Sequence, residues 1–310
     1  MADGDTTSPL QPDARSAVFD ATRLSVGVAV ALIALKAFAL GASASVSILA
    51  SLADSALDLV GSLAVFFAVR WAAAPPDDTH RFGHGKGEAM AALVQAGLVF
   101  ASAVFIGWEA VARMLRPTPV TGGAVGVAVM LISIGLTAFL VWRQKRAIAA
   151  SGSLAIAGDR AHYTADLAAN VVVLIGVVSG AFLNAPGLDA AAGLIVMVWL
   201  AWGAAGLLRQ SADQLLDRAA PAEVQNAVVA AVLSDDRIRG VHRLRTRMAG
   251  AAVQAQMHVD LDPDLSLKAA HDIVEAAEAR VRAALPGAEV ILHADPASVA
   301  APGPWTRPAR

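Results

Sequence analysis

The chain has 310 residues, 56% of them hydrophobic and 16% charged, with a net charge of -2 and no cysteine. Its apolar residues gather into long blocks, which excludes an ordinary soluble domain, and the near-neutral charge favours neither nucleic acid nor acidic lipid as a partner. The lack of cysteine excludes disulfide frameworks and thiolate metal sites, and with them the usual soft ligands for monovalent copper.

Residues 1–16 carry Asp3, Asp5, Pro9, Pro12 and Asp13 without an apolar run. They lack the basic start and compact apolar core of a signal peptide and predict a disordered cytoplasmic tail. The first apolar block follows at 18–40, with Lys36 near its outer end, where a long stem can snorkel. The second block, 46–69, is long enough to cross a bilayer as a helix, yet it holds Asp54 and Asp58. Four residues apart, the two carboxylates share one helix face at membrane depth. Carboxylates there are costly, face the bundle interior or a watery cavity, and mark an ion or proton path.

Further blocks at 88–111, 120–142, 153–183 and 188–208 bring the predicted spans to six. Arg70, Arg81 and Lys86 fall in the second loop and Arg143, Lys145, Arg146 and Arg160 in or beside the fourth. The first and fifth loops have no Lys or Arg, while Arg113 and Arg116 in the third are an exception. This bias predicts that both termini are cytoplasmic.

The fifth block carries His162 and Asp166, again four apart and at a depth matching Asp54 and Asp58. Two packed helices with two ligands each can close four ligands round one ion. Three carboxylates and an imidazole suit zinc, with cadmium, iron(II) and cobalt also compatible. The loop 75–88 offers Asp77, His80 and His84 among Gly83, Gly85 and Gly87. Spacing alone fits a solvated loop as well as a metal site there, and the P-loop pattern is absent.

Beyond Arg209 the pattern changes. A helix from Pro221 to 233, strands at 241–248 and 251–260 round Ala249-Gly250, an amphipathic helix at 267–285 and a strand at 289–293 predict a small α+β domain. His242, His258 and His293 lie on or beside different strands, His271 on the helix, and Asp295 two residues beyond His293. Each histidine alone fits a packed or surface position. The tail from Ala300, with Pro302, Pro304 and Pro308, predicts disorder.

Four stretches in order, S-I-L-A-S-L-A-D-S-A-L-D, D-D-T-H-R-F-G-H-G-K, A-H-Y-T-A-D and L-L-D-R-A, closely resemble the cation diffusion facilitator family, in particular its bacterial zinc and iron efflux branch, over residues 17–297. The resemblance implies a homodimer in the bacterial inner membrane that exchanges cytoplasmic divalent metal for external protons. It implies a tail at 1–16, a six-helix all-α transport domain at 17–209, a metallochaperone-like cytoplasmic α+β domain for metal binding and dimerisation at 210–297, and a tail at 298–310. Asp54, Asp58, His162 and Asp166 match the family's intramembrane transport site, and Asp77, His80 and His84 its loop site. His242, His258, His271, His293 and Asp295 match its cytoplasmic binuclear site, with Asp295 bridging. Lys86 and Asp217 match a charged pair that holds the dimer together. Zinc is the implied metal, as cargo and as a structural ion, with iron(II) or cadmium as alternatives. No enzyme is implied: the chain lacks H-E-x-x-H, and four protein ligands leave little room for an activated water. A metal-gated channel could share these helices, and a metal sensor would need only the cytoplasmic histidines.

Overall fold

The computed structural model describes residues 12–43, 46–115, 124–178, 188–297 and 305–306. Six long helices come first: α1 (Pro12–Ser43), α2 (Val46–Ala72), α3 (Gly87–Leu115), α4 (Ala124–Ser151), α5 (Leu154–Val178) and α6 (Leu188–Leu215). They are followed by α7 (Ala222–Leu233), β1 (Gly240–Ala249), β2 (Ala252–Leu261), α8 (Leu267–Ala284), β3 (Glu289–Pro296) and β4 (Trp305–Thr306). The chain forms two compact units, one from Ala14–Ala72 with Gly87–Ala212, the other joining Ala73–Lys86 to the chain from Asp213 onward.

In the helical unit, α1, α2, α3, α4 and α6 are long and apolar enough to cross a membrane. The sixth helix, α5, falls outside that measure because Asp159, Arg160 and Asp166 interrupt it. Helix ends follow local chemistry. Pro12, with no N–H to lose, opens α1 well inside the stretch predicted to be disordered. The α4 helix continues through Arg143, Lys145 and Arg146, expected in or beside the fourth loop, and stops at Gly152, whose φ of 66° favours glycine. Ser153 then starts α5 by accepting from the Ile156 N–H at 3.4 Å.

Small residues set the packing. Ala89, Ala92, Ala96 and Ala103 form a buried stripe on α3. A Cβ on Gly158 would lie 3.0 Å from the Ala92 Cα, so α5 approaches α3 almost backbone to backbone. That approach brings His162, one turn along α5, into the bundle interior. Lys36 departs from the snorkelling expectation: it is 6% exposed, and its Nζ donates to the Ser55 Oγ at 2.6 Å and the Ser51 carbonyl at 3.0 Å. The polar surface of α2 supplies the partners that water would otherwise give the ammonium.

The second unit is a four-stranded sheet in the order β3-β2-β1-β4. β1 runs antiparallel to β2 and β4, and β2 parallel to β3 through the α8 crossover. Val228 and Val232 of α7 and Ile273, Ala277 and Val281 of α8 pack on Val253, Ala255, Met257, Val259, Val290 and Leu292, so both helices cover one sheet face. Strand alternation sends Gln254, Gln256, His258 and Asp260 of β2 to the opposite face. Two expectations change here. β3 reaches Pro296, further than predicted, and Trp305 and Thr306, expected in a structureless tail, pair with Val241 and Gly240.

Candidate metal centres

In the helical unit the structure brings Asp58, His162 and Asp166 together, each offering a ligand atom within 4.8 Å of the others. His162 Nε2 lies 3.1 Å from Asp58 Oδ1 and 3.7 Å from Asp166 Oδ2. The three side chains are 7–20% exposed. His162 Nδ1 and Asp166 Oδ2 are buried without a hydrogen-bond partner among the described residues. Buried polar atoms are normally satisfied, so an unpartnered Asp166 oxygen facing the His162 Nε2 beside Asp58 fits a bound cation. Asp54 stands outside this tight group: four residues carry it about 6 Å along α2 from Asp58. It shares with Asp166 the wall of a cavity of about 810 Å³.

A second buried polar group lies one turn away on α5, and the sequence reading did not assign it a role. Asp159, fully buried, accepts from Gln144 Nε2 at 2.8 Å and faces Ser62 Oγ at 3.5 Å. Gln144 Nε2 also donates to Ser25 Oγ at 3.0 Å, and the Ser62 and Tyr163 hydroxyls are 2.7 Å apart. These contacts tie α1, α2, α4 and α5 together behind His162. The available signal was Asp159 itself, a carboxylate in an apolar helix three residues before the ligand.

The loop residues also converge. His84 Nε2 lies 3.2 Å and His80 Nδ1 3.4 Å from the Asp77 carboxylate, and the two imidazoles are 4.5 Å apart between centroids. Asp77 Oδ1 accepts from the His80 N–H at 2.6 Å and from the Thr79 N–H and hydroxyl. The His80 N–H first, then the Thr79 hydroxyl, hold the Asp77 carboxyl well below the usual carboxylate range, so it is anionic and ready to bind a cation. Lys86 Nζ sits 2.7 Å from Asp217 Oδ1 within the one chain, and Arg247 Nη1 donates to Asp217 Oδ2 at 2.9 Å.

On the sheet's open face, His242, His258 and Asp295 offer ligand atoms within 4.8 Å of one another. His242 pairs with His258 and His258 with His293 in register, a row of three imidazoles across β1, β2 and β3. Asp295 reaches all three: Oδ2 lies 2.8 Å from His258 Nδ1 and 3.2 Å from His242 Nε2, and Oδ1 3.3 Å from His293 Nε2. Burial pushes the Asp295 carboxyl up, but the hydrogen bond from His258 and the neighbouring imidazoles outweigh it and hold it below its ordinary value. A carboxylate shared among imidazoles is a donor set that fits zinc.

His271 is not brought to this row. It lies on α8, which packs against the other sheet face, with its side chain 70% exposed and 3.9 Å from Glu275. Asp260, which the sequence reading passed over, does belong here. It is 3% exposed, and its Oδ1 lies 3.0 Å from His242 Nδ1. Its signal was the His258-Val259-Asp260 alternation, which puts both side chains on one face of β2.

Residues 22–216 match the family model for the cation efflux transmembrane domain, and residues 220–297 that for the cation efflux protein cytoplasmic domain. The chain is 40% identical over 281 residues to the cation-efflux pump FieF of Shewanella oneidensis, covering 90% of this chain and 94% of the relative. It is 35% identical over 275 residues to FieF of Cronobacter sakazakii, covering 88% and 90%. A solved structure, MamM-CTD 215-293, is 32% identical, covers 24% of this chain and 95% of its own, and has a TM-score of 0.23.

Proposed function

Because the chain belongs to the cation diffusion facilitator family of bacterial cation-efflux proteins, we propose that it exports zinc from the cytoplasm in exchange for protons. The family is one of transporters, and divalent metal efflux follows from membership; zinc and proton coupling are the finer reading. It is carried by one observation, the His162 imidazole held between Asp58 and Asp166 on two apolar helices, with a buried Asp166 oxygen lacking a hydrogen-bond partner. One imidazole with carboxylates suits zinc better than an all-oxygen set would.

In this reading Asp54 joins the three as the fourth ligand when α2 shifts relative to α5. Metal and protons compete for the same carboxylate and imidazole atoms, so uptake of zinc releases protons on the cytoplasmic side. Proton binding from the other side releases zinc. Antiport then needs no separate proton wire. The chain sits in the inner membrane with both termini cytoplasmic and works as a homodimer, which the Lys86–Asp217 pair helps to hold together. In the cytoplasmic domain His242, His258 and Asp295 would hold zinc, with His293 beside them; bound metal there ties three strands together and stabilises the domain. The exposed His271 is available to a second protomer. Asp77, His80 and His84 would hold a further ion. Iron(II) and cadmium are alternative cargoes for the same machinery.

The test is zinc uptake into proteoliposomes with an imposed pH gradient. Wild type should take up zinc in proportion to the gradient, and His162→Ala and Asp58→Asn should not. Transport insensitive to the gradient would indicate a channel. Transport unaffected by both substitutions would move the site elsewhere.

A further inference from the structure

The cavity that reaches Asp54 and Asp166 has a second charged feature at its far end. Its walls come from Ser51 and Asp54 of α2, the stretch Ala101 to Arg113 of α3, Ala165 to Val173 of α5, and Ala190 and Gly193 of α6. These are the first part of α2 and α6 and the later part of α3 and α5. The cavity therefore runs from the metal ligands toward the bundle end opposite the one where α2 leads into residues 73–86 and α6 into the sheet domain. On the topology proposed above, that is the release side.

Glu109 and Arg113 face this passage. Ala103 packs with Ala165, so Ser102 is level with Asp166, and Glu109 lies seven residues, about 10 Å, further toward the mouth. Arg113 Nε donates to Glu109 Oε1 at 2.8 Å, and the Glu109 side chain is 47% exposed. A cation leaving the buried site crosses a stretch walled mainly by alanine, valine, phenylalanine and isoleucine, where a fixed carboxylate lowers its electrostatic cost. A bare carboxylate would also trap a divalent ion. Passage needs binding strong enough to draw the ion in and weak enough to let it go, and the adjacent guanidinium supplies the weakening.

We infer that Glu109 is a release subsite for the outgoing divalent cation and that Arg113 is its built-in competitor, occupying the carboxylate until metal displaces it. The inference rests on the transport assignment of Asp54, Asp58, His162 and Asp166.

The experiment uses the full chain in oriented proteoliposomes with zinc as the probe, measuring how zinc on the release side slows further transport. Glu109→Gln should raise the release-side zinc needed for half inhibition about tenfold, the loss of one charge-assisted contact, with the entry-side KM unchanged. Glu109→Asp should keep most of the effect. Arg113→Gln should shift it the other way, tightening release-side zinc and slowing turnover. A pair holding α3 together would instead make both substitutions act alike, and that result, or no shift in either, overturns the inference. Since the chain has no cysteine, Asn170→Cys reports the passage directly. An impermeant thiol reagent on the release side should label it, and failure to label closes the passage and ends the proposal. If wild type carried no zinc, or Asp58→Asn carried it as well, the transport assignment would fail. If only Asp58→Asn were dead and Glu109→Gln behaved as wild type, the subsite alone would fall.

Discussion

His242 and His258 stand directly opposite each other across β1 and β2, and a β-bulge puts them there. The register shifts by one between His242 and Arg245, where Arg243 adopts a φ of 52°. Were the strand to pair regularly through Arg243, without a bulge, His242 would stand opposite Val259 and point at the helices, because a one-residue slip reverses every side chain. Deleting Arg243 should therefore remove the bulge yet leave His242 opposite His258, and zinc binding in the cytoplasmic domain should survive; a lost site would mean that the strand had slipped in register instead. Arg243→Gly should keep the site and raise stability by about 1 kcal/mol, since glycine carries no left-handed penalty. Zinc titration calorimetry and melting curves on full chain carrying Asp58→Asn would check both.

Asp260 Oδ1 lies 3.0 Å from His242 Nδ1, while Nε2 faces Asp295. Carboxylates in that position fix the ring of a metal-binding histidine, and their loss costs about 10–100-fold in metal affinity. Asp260→Asn should weaken zinc binding at the sheet by that order with the fold intact by circular dichroism. Unchanged affinity would make Asp260 a packing residue only.

Asp159 should matter to the bundle as a structural acceptor. Asp159→Ala leaves one Gln144 Nε2 N–H without its acceptor in an apolar interior, at about 1–3 kcal/mol, while Nε2 keeps the Ser25 hydroxyl and Ser62 keeps the Tyr163 hydroxyl. Asp159→Asn keeps an acceptor and the shape, so its loss should be smaller. Thermal unfolding in detergent should rank wild type above Asn and Asn above Ala; equal melting of all three would remove the network from the stability account.

Gly85 lies against the β1–β2 turn so closely that a Cβ would stand 2.5 Å from the Ala249 carbonyl oxygen. That atom belongs to backbone and cannot swing aside. Gly85→Ala should push the loop off the turn at about 1–3 kcal/mol, as overpacking does. Hydrogen exchange across residues 76–86 should quicken. Gly97→Ala, with nothing within 4 Å of the added carbon, should leave exchange unchanged.

Asp217 carries a pH dependence of known sign. The hydrogen bond from Lys86 first, then Arg247, holds its carboxyl below the ordinary value. A carboxyl depressed in the folded chain contributes fully above its unfolded value of about 4 and loses that contribution as pH falls through the folded value. Protection of residues 213–220 should fade as the medium is acidified below pH about 4, and Asp217→Asn should be weak at every pH and lose this dependence. A wild type indifferent to acid would show that the pair is screened by solvent.

The helical site was legible because its geometry is local. Asp54 and Asp58, and His162 and Asp166, are four apart, and an α-helix puts such residues on one face whatever surrounds it. Lengths and apolarity of the spans read directly for the same reason. Burial decided what local pattern does not show: Lys36 finds partners on α2, and Asp159 joins a network assembled from four helices. Trp305 and Thr306 become a strand because β1 presents an open edge, which no local propensity announces.

The amino-acid sequence by itself determined the six helices, the α+β domain after them and which residues could bind metal, since hydrogen bonding within a helix and alternation along a strand depend only on near neighbours. Tertiary structure decided which of those residues meet. Register across β1 and β2 turned His242 to the open face and left His271 on the far side with α8. Packing of α5 on α3 through Gly158 drew His162 and Asp166 to Asp58 and set Asp54 in the cavity wall. These outcomes depend on contacts between residues far apart along the chain in the helices and on the count of residues in a paired strand, and neither is written in any single stretch of chain.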